Sequence, residues 1–167
     1  MTTALFVGRF QPFHQGHLEA VKQILKENDK IIIGIGSSQY SNTEHNPFTA
    51  EERKQMIDKT LKANNINNYK IVFIPDIHDG NRWASYVENL IPKFNIVYTN
   101  SQYTKFCFDK IKKYPIKPIK ITFDTNSTEI RNRIKQNKNW KELVPKEIAQ
   151  EIERINSIKR IKETSKE

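Results

Sequence analysis

The chain has 167 residues, 37% hydrophobic and 28% charged, with a mean hydropathy of −0.72, which suits one domain with a proper core and a very polar surface. No apolar stretch nears the roughly 20 residues that span a bilayer, and no basic-then-apolar leader opens the chain; the single cysteine, Cys107, excludes an internal disulfide framework and makes a reducing compartment, the cytoplasm, the default expectation. The formal charge of +9 admits nucleic acid or small polyphosphates as partners, and with no RNA-recognition signature, zinc-finger spacing or Arg/Gly tract the small anions are the better choice.

The elements follow in chain order. Thr3–Val7 is a short apolar run bounded by Gly8 and reads as a buried strand. Leu18, Val21, Ile24 and Leu25 recur at helical spacing, which predicts a helix from about Gly16 to Glu27. Ile31–Ile35 is a second strand, and its unbroken aliphatic character fits a parallel sheet covered on both faces. Gly36–Phe48 is a loop. A helix then starts with Thr49 as N-cap and Glu52 completing a capping box. Tyr69–Pro75 is a third strand, Arg82–Ile91 a helix, and Phe94–Thr99 a fourth strand. Ser101 caps a helix to about Lys112, and a fifth strand is expected near Ile119–Phe123.

The C-terminal part is helical, with Ser127 or Thr128 as the first cap and Pro145 in the first turn of a later helix. Arg131–Glu167 carries eleven Lys/Arg against six Asp/Glu, in alternation, which describes a solvated helix face rather than a nucleic-acid arm. Trp140 is assigned to the core. One domain is expected over residues 1–161, with 162–167 as a frayed tail. Strand and helix alternate four or five times before the last helices, so the fold class is α/β: a doubly wound parallel sheet with right-handed crossovers and C-terminal helices.

In such a sheet, ligands bind beyond the carboxyl ends of the strands. The chain there reads "GRFQPFHQGH", "GSSQYSNTEHNPF", "PDIHDGNRW", "TNSQY" and "DTNSTEIR", and all four histidines (His14, His17, His45, His78) fall in the first three. Three readings compete for His14 and His17. Zinc lacks ligands, since the cysteine is distant and no carboxylate joins the motif. A locally satisfied core pair is the usual fate of an arbitrary H-x-x-H. A phosphate cradle fits the context of strand, turn and helix. There Gly8 would permit a sharp turn, Arg9 adds a cation, and His17 lies in the first turn of a helix whose free N–H groups attract anions. The motif is neither G-x-G-x-x-G nor a P-loop. "STEIR" supplies a second helix start with Arg131 one turn in; alone it reads as an ordinary capped helix, and paired with the first motif it makes a second phosphate contact.

This pair of motifs resembles the nucleotidyltransferase superfamily with an H-x-G-H signature, here His14-Gln15-Gly16-His17 with Ser127-Thr128-Glu129-Ile130-Arg131. Within it the chain resembles the archaeal-type nicotinamide-nucleotide adenylyltransferases, through "GRFQPFHQGHLEAVK", "IIIGIGSSQ", "NPFTAEER", "FNIVYTN" and "STEIRNRI", and the likeness extends to about Ile161. The resemblance implies a Rossmann-like nucleotidyltransferase fold and the reaction of ATP with nicotinamide mononucleotide to give NAD and pyrophosphate. It implies catalytic and phosphate contacts for His14, His17, Arg9 and Arg131, with Gly16, Ser127 and Thr128 in the same nucleotide-binding set. Gly8 and Phe10 would shape the adenosine side. Trp83 would stack on the nicotinamide ring with Asp76 and Asn81 nearby, and a homohexamer is common in the family. Two departures stand out: Gly80 occupies the place where the family tends to have asparagine, with Asn81 one position later, and Tyr98-Thr99-Asn100-Ser101 lacks a glycine usual after the fourth strand.

The chemistry fits the residue set. A mononucleotide phosphate is already ionised at neutral pH, so the reaction needs positioning and charge neutralisation rather than a base. No paired carboxylates are placed as acid and base, and Mg²⁺ would be held by the substrate's phosphates and water, with no protein side chain as ligand. H-x-G-H also admits other acceptors (phosphopantetheine, flavin mononucleotide, a cytidylyl substrate) or a non-catalytic module that senses NAD or binds RNA.

Overall fold

The computed structural model describes residues 1–164. The strands are β1 (Thr3–Gly8), β2 (Lys30–Ile35), β3 (Tyr69–Phe73), β4 (Ile96–Tyr98) and β5 (Ile116–Lys117), in the order β3-β2-β1-β4-β5. Every neighbouring pair is parallel, with Ala4 opposite Ile31 on one side of β1 and opposite Ile96 on the other. Each crossover carries a helix: α1 (Gln15–Glu27), α2 (Ala50–Ala63), α3 (Trp83–Leu90) and α4 (Gln102–Ile111). The chain then adds α5 (Ser127–Lys135), a 3-10 turn at Lys141–Leu143, α6 (Lys146–Arg154) and α7 (Ser157–Glu163).

Side chains alternate along β1, and both faces are buried. Ala4 and Phe6 join Ile31, Ile33 and Ile35 in a core closed by α1, α2 and α5–α7. Leu5 and Ile32 face the other way, into a core with Trp83, Val87, Val97 and Phe108 from α3, β4 and α4. Burial on both faces explains why β1 and β2 are continuous apolar runs instead of alternating ones. Because β2 and β3 lie on one side of β1 and β4 on the other, the topological switch point falls between β1 and β4, and a cleft opens there past the strand ends.

The last part of the chain departs from the sequence expectations. The fifth strand is Ile116–Lys117, not Ile119–Phe123. Residues 119–123 have no ladder partner: Asn100 hydrogen-bonds the backbone of Ile119 in both directions, and Glu19 accepts from the amides of Thr122 and Phe123. Pro145 is the N-cap of α6, one place before its first turn. Helix α7 carries order to Glu163, beyond the expected frayed start, because Ile161 is buried and Arg160 pairs with Glu52 at 2.7 Å. The rest of the expected tail, 165–167, lies outside the described residues. Trp140 sits in the first core. No helix among the described residues is long and apolar enough to cross a membrane.

Candidate active site

The connection from β1 to α1 is held by its neighbours rather than by glycine flexibility. Gly8 does not adopt positive φ; Phe10 does, at 54°, a costly region for an aromatic residue. The turn expected at Gly8 is therefore made at Phe10. Gly8 is needed for room instead, since a Cβ there would lie 2.8 Å from the Phe10 ring. Phe10 is buried and packs edge-on to His17, with ring centres 4.8 Å apart. Gln11 is also buried, and its amide exchanges two hydrogen bonds with the backbone of Phe48, ahead of α2.

The two histidines cap α1 in a capping box made of imidazoles. His14 is the N-cap, and its Nδ1 accepts from the amide of Gly16 at 3.1 Å. His17 Nδ1 accepts from the amide of His14, also at 3.1 Å. An Nδ1 that accepts carries no proton, so each ring holds its proton on Nε2 and offers one N–H donor. The rings stack with centres 3.6 Å apart. Burial pushes the His14 pKa down to about 4. His17 lies well below its usual range, first through burial and then through the charge of His14. Both rings are therefore neutral at pH 7. Gly16 is tightly enclosed: a Cβ there would lie 3.0 Å from the His14 ring, which would have to shift to admit it.

Helix α5 closes the other side. Asn126, not Ser127 or Thr128, is its N-cap, accepting from the amide of Glu129 at 2.8 Å. Ser127 donates its hydroxyl to the carbonyl of Pro12 instead. Arg131 is buried and donates to the carbonyl of Gln11 at 2.8 Å and to the Thr128 hydroxyl at 3.4 Å. Its pKa is lowered by burial and next by the charge of Arg9, while Glu44 opposes this. Arg9, Phe10, Gln11, His14, His17, Asn126, Ser127, Thr128 and Arg131 together line a cavity of about 270 Å³.

A second cavity, about 480 Å³, opens past the ends of β1 and β2 toward α3 and α4, lined by Gly8, Arg9, Gly36, Ser37, Asp76, Trp83, Ser101, Tyr103 and Thr104 among others. Arg9 lines both cavities. Trp83 is 7% exposed and packs edge-on against Phe108, so one part of it is core and another part wall. Gln39 clamps the backbone of Asp76 from both sides, and Tyr40 Oη lies 2.6 Å from His78 Nε2, tying the two outer loops together. Asn81 is exposed and not part of this wall; its amide donates to Asp79. His45 is exposed and lines neither cavity. Among the described residues, no group of three or more His, Cys, Asp or Glu is placed to hold a metal ion.

The cytidylyltransferase-like family model matches residues 5–133. A nicotinamide-nucleotide adenylyltransferase of Thermoplasma volcanium is 46% identical over 97% of this chain and 92% of its own length. The enzyme of that name from Methanococcus maripaludis is 45% identical over 97% of this chain and 95% of its own. The chain belongs to the nicotinamide-nucleotide adenylyltransferase family. In fold it is similar to a bifunctional NMN adenylyltransferase/ADP ribose pyrophosphatase of Francisella tularensis, solved with AMP and a manganese ion. The TM-score is 0.82 at 23% identity, and the match covers 97% of this chain and 52% of that one.

For this member of the adenylyltransferase family, the residues expected from "GRFQPFHQGH" and "STEIR" converge, with Gly16 beneath the His14 ring. Four others emerge only in three dimensions. Gln11 lies inside the first motif and reads there as an ordinary loop residue. Ser37 reaches the second cavity from the loop after β2 and Tyr103 from the first turn of α4. Arg53 has no exposed surface, yet in sequence it is one more charge in the first turns of a helix.

Proposed function

We propose that the chain joins ATP to nicotinamide mononucleotide, releasing pyrophosphate and forming NAD, in one in-line displacement. An oxygen of the mononucleotide phosphate forms a bond to the α-phosphorus of ATP as the bond from that phosphorus to the bridging oxygen breaks. The leaving pair of phosphates takes the electrons and no covalent enzyme intermediate forms. The observation that carries this reading is the placement of Arg9 in the walls of both cavities, one built of phosphate-type donors and one walled by Trp83 and Asp76. The curated relatives' names supply the acceptor.

The roles follow from the donor set. His14 and His17 offer neutral Nε2–H groups to phosphate oxygens, and Arg131 and Arg9 add full positive charge. Ser127, Thr128 and the start of α5 complete a cradle for the phosphates that leave. Donors fixed before the reaction need no reorganisation as charge moves onto the bridging oxygen. Phe10 sets the floor of this side, Gly8 lines the other cavity next to Arg9, and Trp83 supplies a flat surface for the nicotinamide ring beside Asp76. Asn81 has no part in this reading. A divalent metal, Mg²⁺ in the cell, enters as part of the nucleotide substrate, which fits a cavity wall without carboxylates. Residues 1–161 act as one nucleotidyltransferase domain in the cytoplasm, assembled as a homo-oligomer. The test is pyrophosphate release from MgATP with a panel of acceptors. Nicotinamide mononucleotide should give a kcat/KM at least tenfold above flavin mononucleotide and phosphopantetheine; equal rates, or a preference for either of those, would reject the assignment.

A further inference from the structure

Arg53 is one of the largest side chains with no exposed surface in the molecule. Its guanidinium has five N–H bonds, and the structure gives it five acceptors. Nε donates to the carbonyl of Thr49 at 3.2 Å. Nη1 donates to the carbonyls of Arg9 at 2.8 Å and Gly36 at 2.9 Å. Nη2 donates to those of Ser37 and Tyr40, both at 3.4 Å. Every acceptor is backbone and none is a carboxylate. Burial, and then the charge of Arg9, lowers its pKa to about 10 while the charge of Glu52 opposes this, so it stays a cation at pH 7. A buried cation whose hydrogen bonds all go to neutral carbonyls is costly, and five carbonyl dipoles offset that cost only if the surrounding loops hold one shape.

Three of the five acceptors have a common address. Arg9, Gly36 and Ser37 all line the larger cavity, and Ser37 holds a left-handed backbone at φ 46°. The smaller cavity shares Arg9, and its remaining walls are fixed by other means: the imidazole caps of α1, the Asn126 cap of α5 and the Arg131–Gln11 bond. We propose that Arg53 is a positioning residue for the acceptor half of the site, joining the strand-end loops after β1 and β2 through a single planar fork so that Arg9 is held in the wall common to both cavities. Lysine can replace it only in part, since an ammonium has three donors and no fixed plane.

This inference rests on the proposed reaction, and the experiment separates the two. Wild-type pyrophosphate release with MgATP and nicotinamide mononucleotide tests the reaction; ratios of variant to wild type test Arg53. Arg53→Met and Arg53→Lys are compared with Ile148→Ala, a core truncation in α6 that lowers stability away from both cavities. All are assayed well below their unfolding temperatures. For Arg53→Met, the KM for nicotinamide mononucleotide should rise at least tenfold and kcat fall at least tenfold, while the KM for ATP stays within about threefold. Arg53→Lys should fall between Met and wild type, and Ile148→Ala should leave both KM values unchanged. Equal rises in the two KM values, or the same profile in Ile148→Ala, would overturn the proposal. So would failure of both Arg53 variants to fold, which would make Arg53 a folding residue. If wild type releases no pyrophosphate, the reaction assignment fails alone; titration of nicotinamide mononucleotide against wild type and Arg53→Lys then decides Arg53, with equal affinities overturning it.

Discussion

His14 and His17 each spend Nδ1 on a backbone amide, so protonation at that nitrogen removes a cap as well as adding a charge. The sign of the pH effect follows. The unfolded His14 titrates near its ordinary 6.5 and the folded one at about 4. Between those values the unfolded chain binds more protons, so this contribution to stability is complete above about pH 6.5 and is lost as pH falls toward 4. At about 1.4 kcal/mol per unit, the loss is at most about 3.5 kcal/mol. Asparagine is a good N-cap that does not titrate. Urea unfolding at pH 7 and pH 4.5 should therefore show a smaller acid loss in His14→Asn than in wild type, by about 2 kcal/mol; an equal loss would contradict the buried neutral imidazole. The sequence indicates that these two histidines belong to a cradle. It does not indicate the tautomer, because that depends on two amides whose direction is set only once α1 forms. Arg53 was illegible for a related reason: its partners are carbonyls, which every sequence has everywhere.

At the scale of elements, continuous aliphatic runs made β1 and β2 easy to recognise, since burial on both faces leaves no polar positions. The Thr49–Glu52 capping box and the Ser101 cap were equally plain, and both are present in the structure. The fifth strand was not. "IKPIKITF" has the composition of a strand on either side of Pro118, and what decides between them is where backbone partners lie. Lys117 accepts a bond from the amide of Thr99, whereas Ile119, Thr122 and Phe123 are met by the side chains of Asn100 and Glu19. Side chains distant in the chain thus satisfy the backbone there. The start of α5 shifted by one residue for a similar reason: Ser127 is drawn to the Pro12 carbonyl, leaving Asn126 to cap. Asn126→Ala should cost about 1 kcal/mol in urea unfolding and raise the KM for ATP severalfold, because Asn126 also lines the smaller cavity. Unchanged stability and KM would show that the cap does not order the cradle.

For the molecule as a whole, two halves of the chain meet over one sheet edge. The N-terminal half brings the imidazoles, Arg9 and the loops gathered by Arg53. The C-terminal helices bring Arg131 and brace the other half from behind, Lys135 pairing with Glu44 and Arg160 with Glu52. The α/β class, the sheet's parallel sense and the pairing of the two motifs were legible from periodicity and motif order. The division into two cavities sharing Arg9 was not, since it depends on how loops from β1, β2, α3 and α5 pack together. The net charge of +9 suits a site that gathers two phosphorylated substrates. The central claim is that neutral imidazole donors stabilise the transfer of an adenylyl group rather than merely hold ATP. Its most direct test is steady-state NAD formation by His17→Ala. A fall in kcat of at least a hundredfold, with the KM for ATP changed less than about fivefold, is the expected outcome; an unchanged kcat with a raised KM for ATP would contradict it.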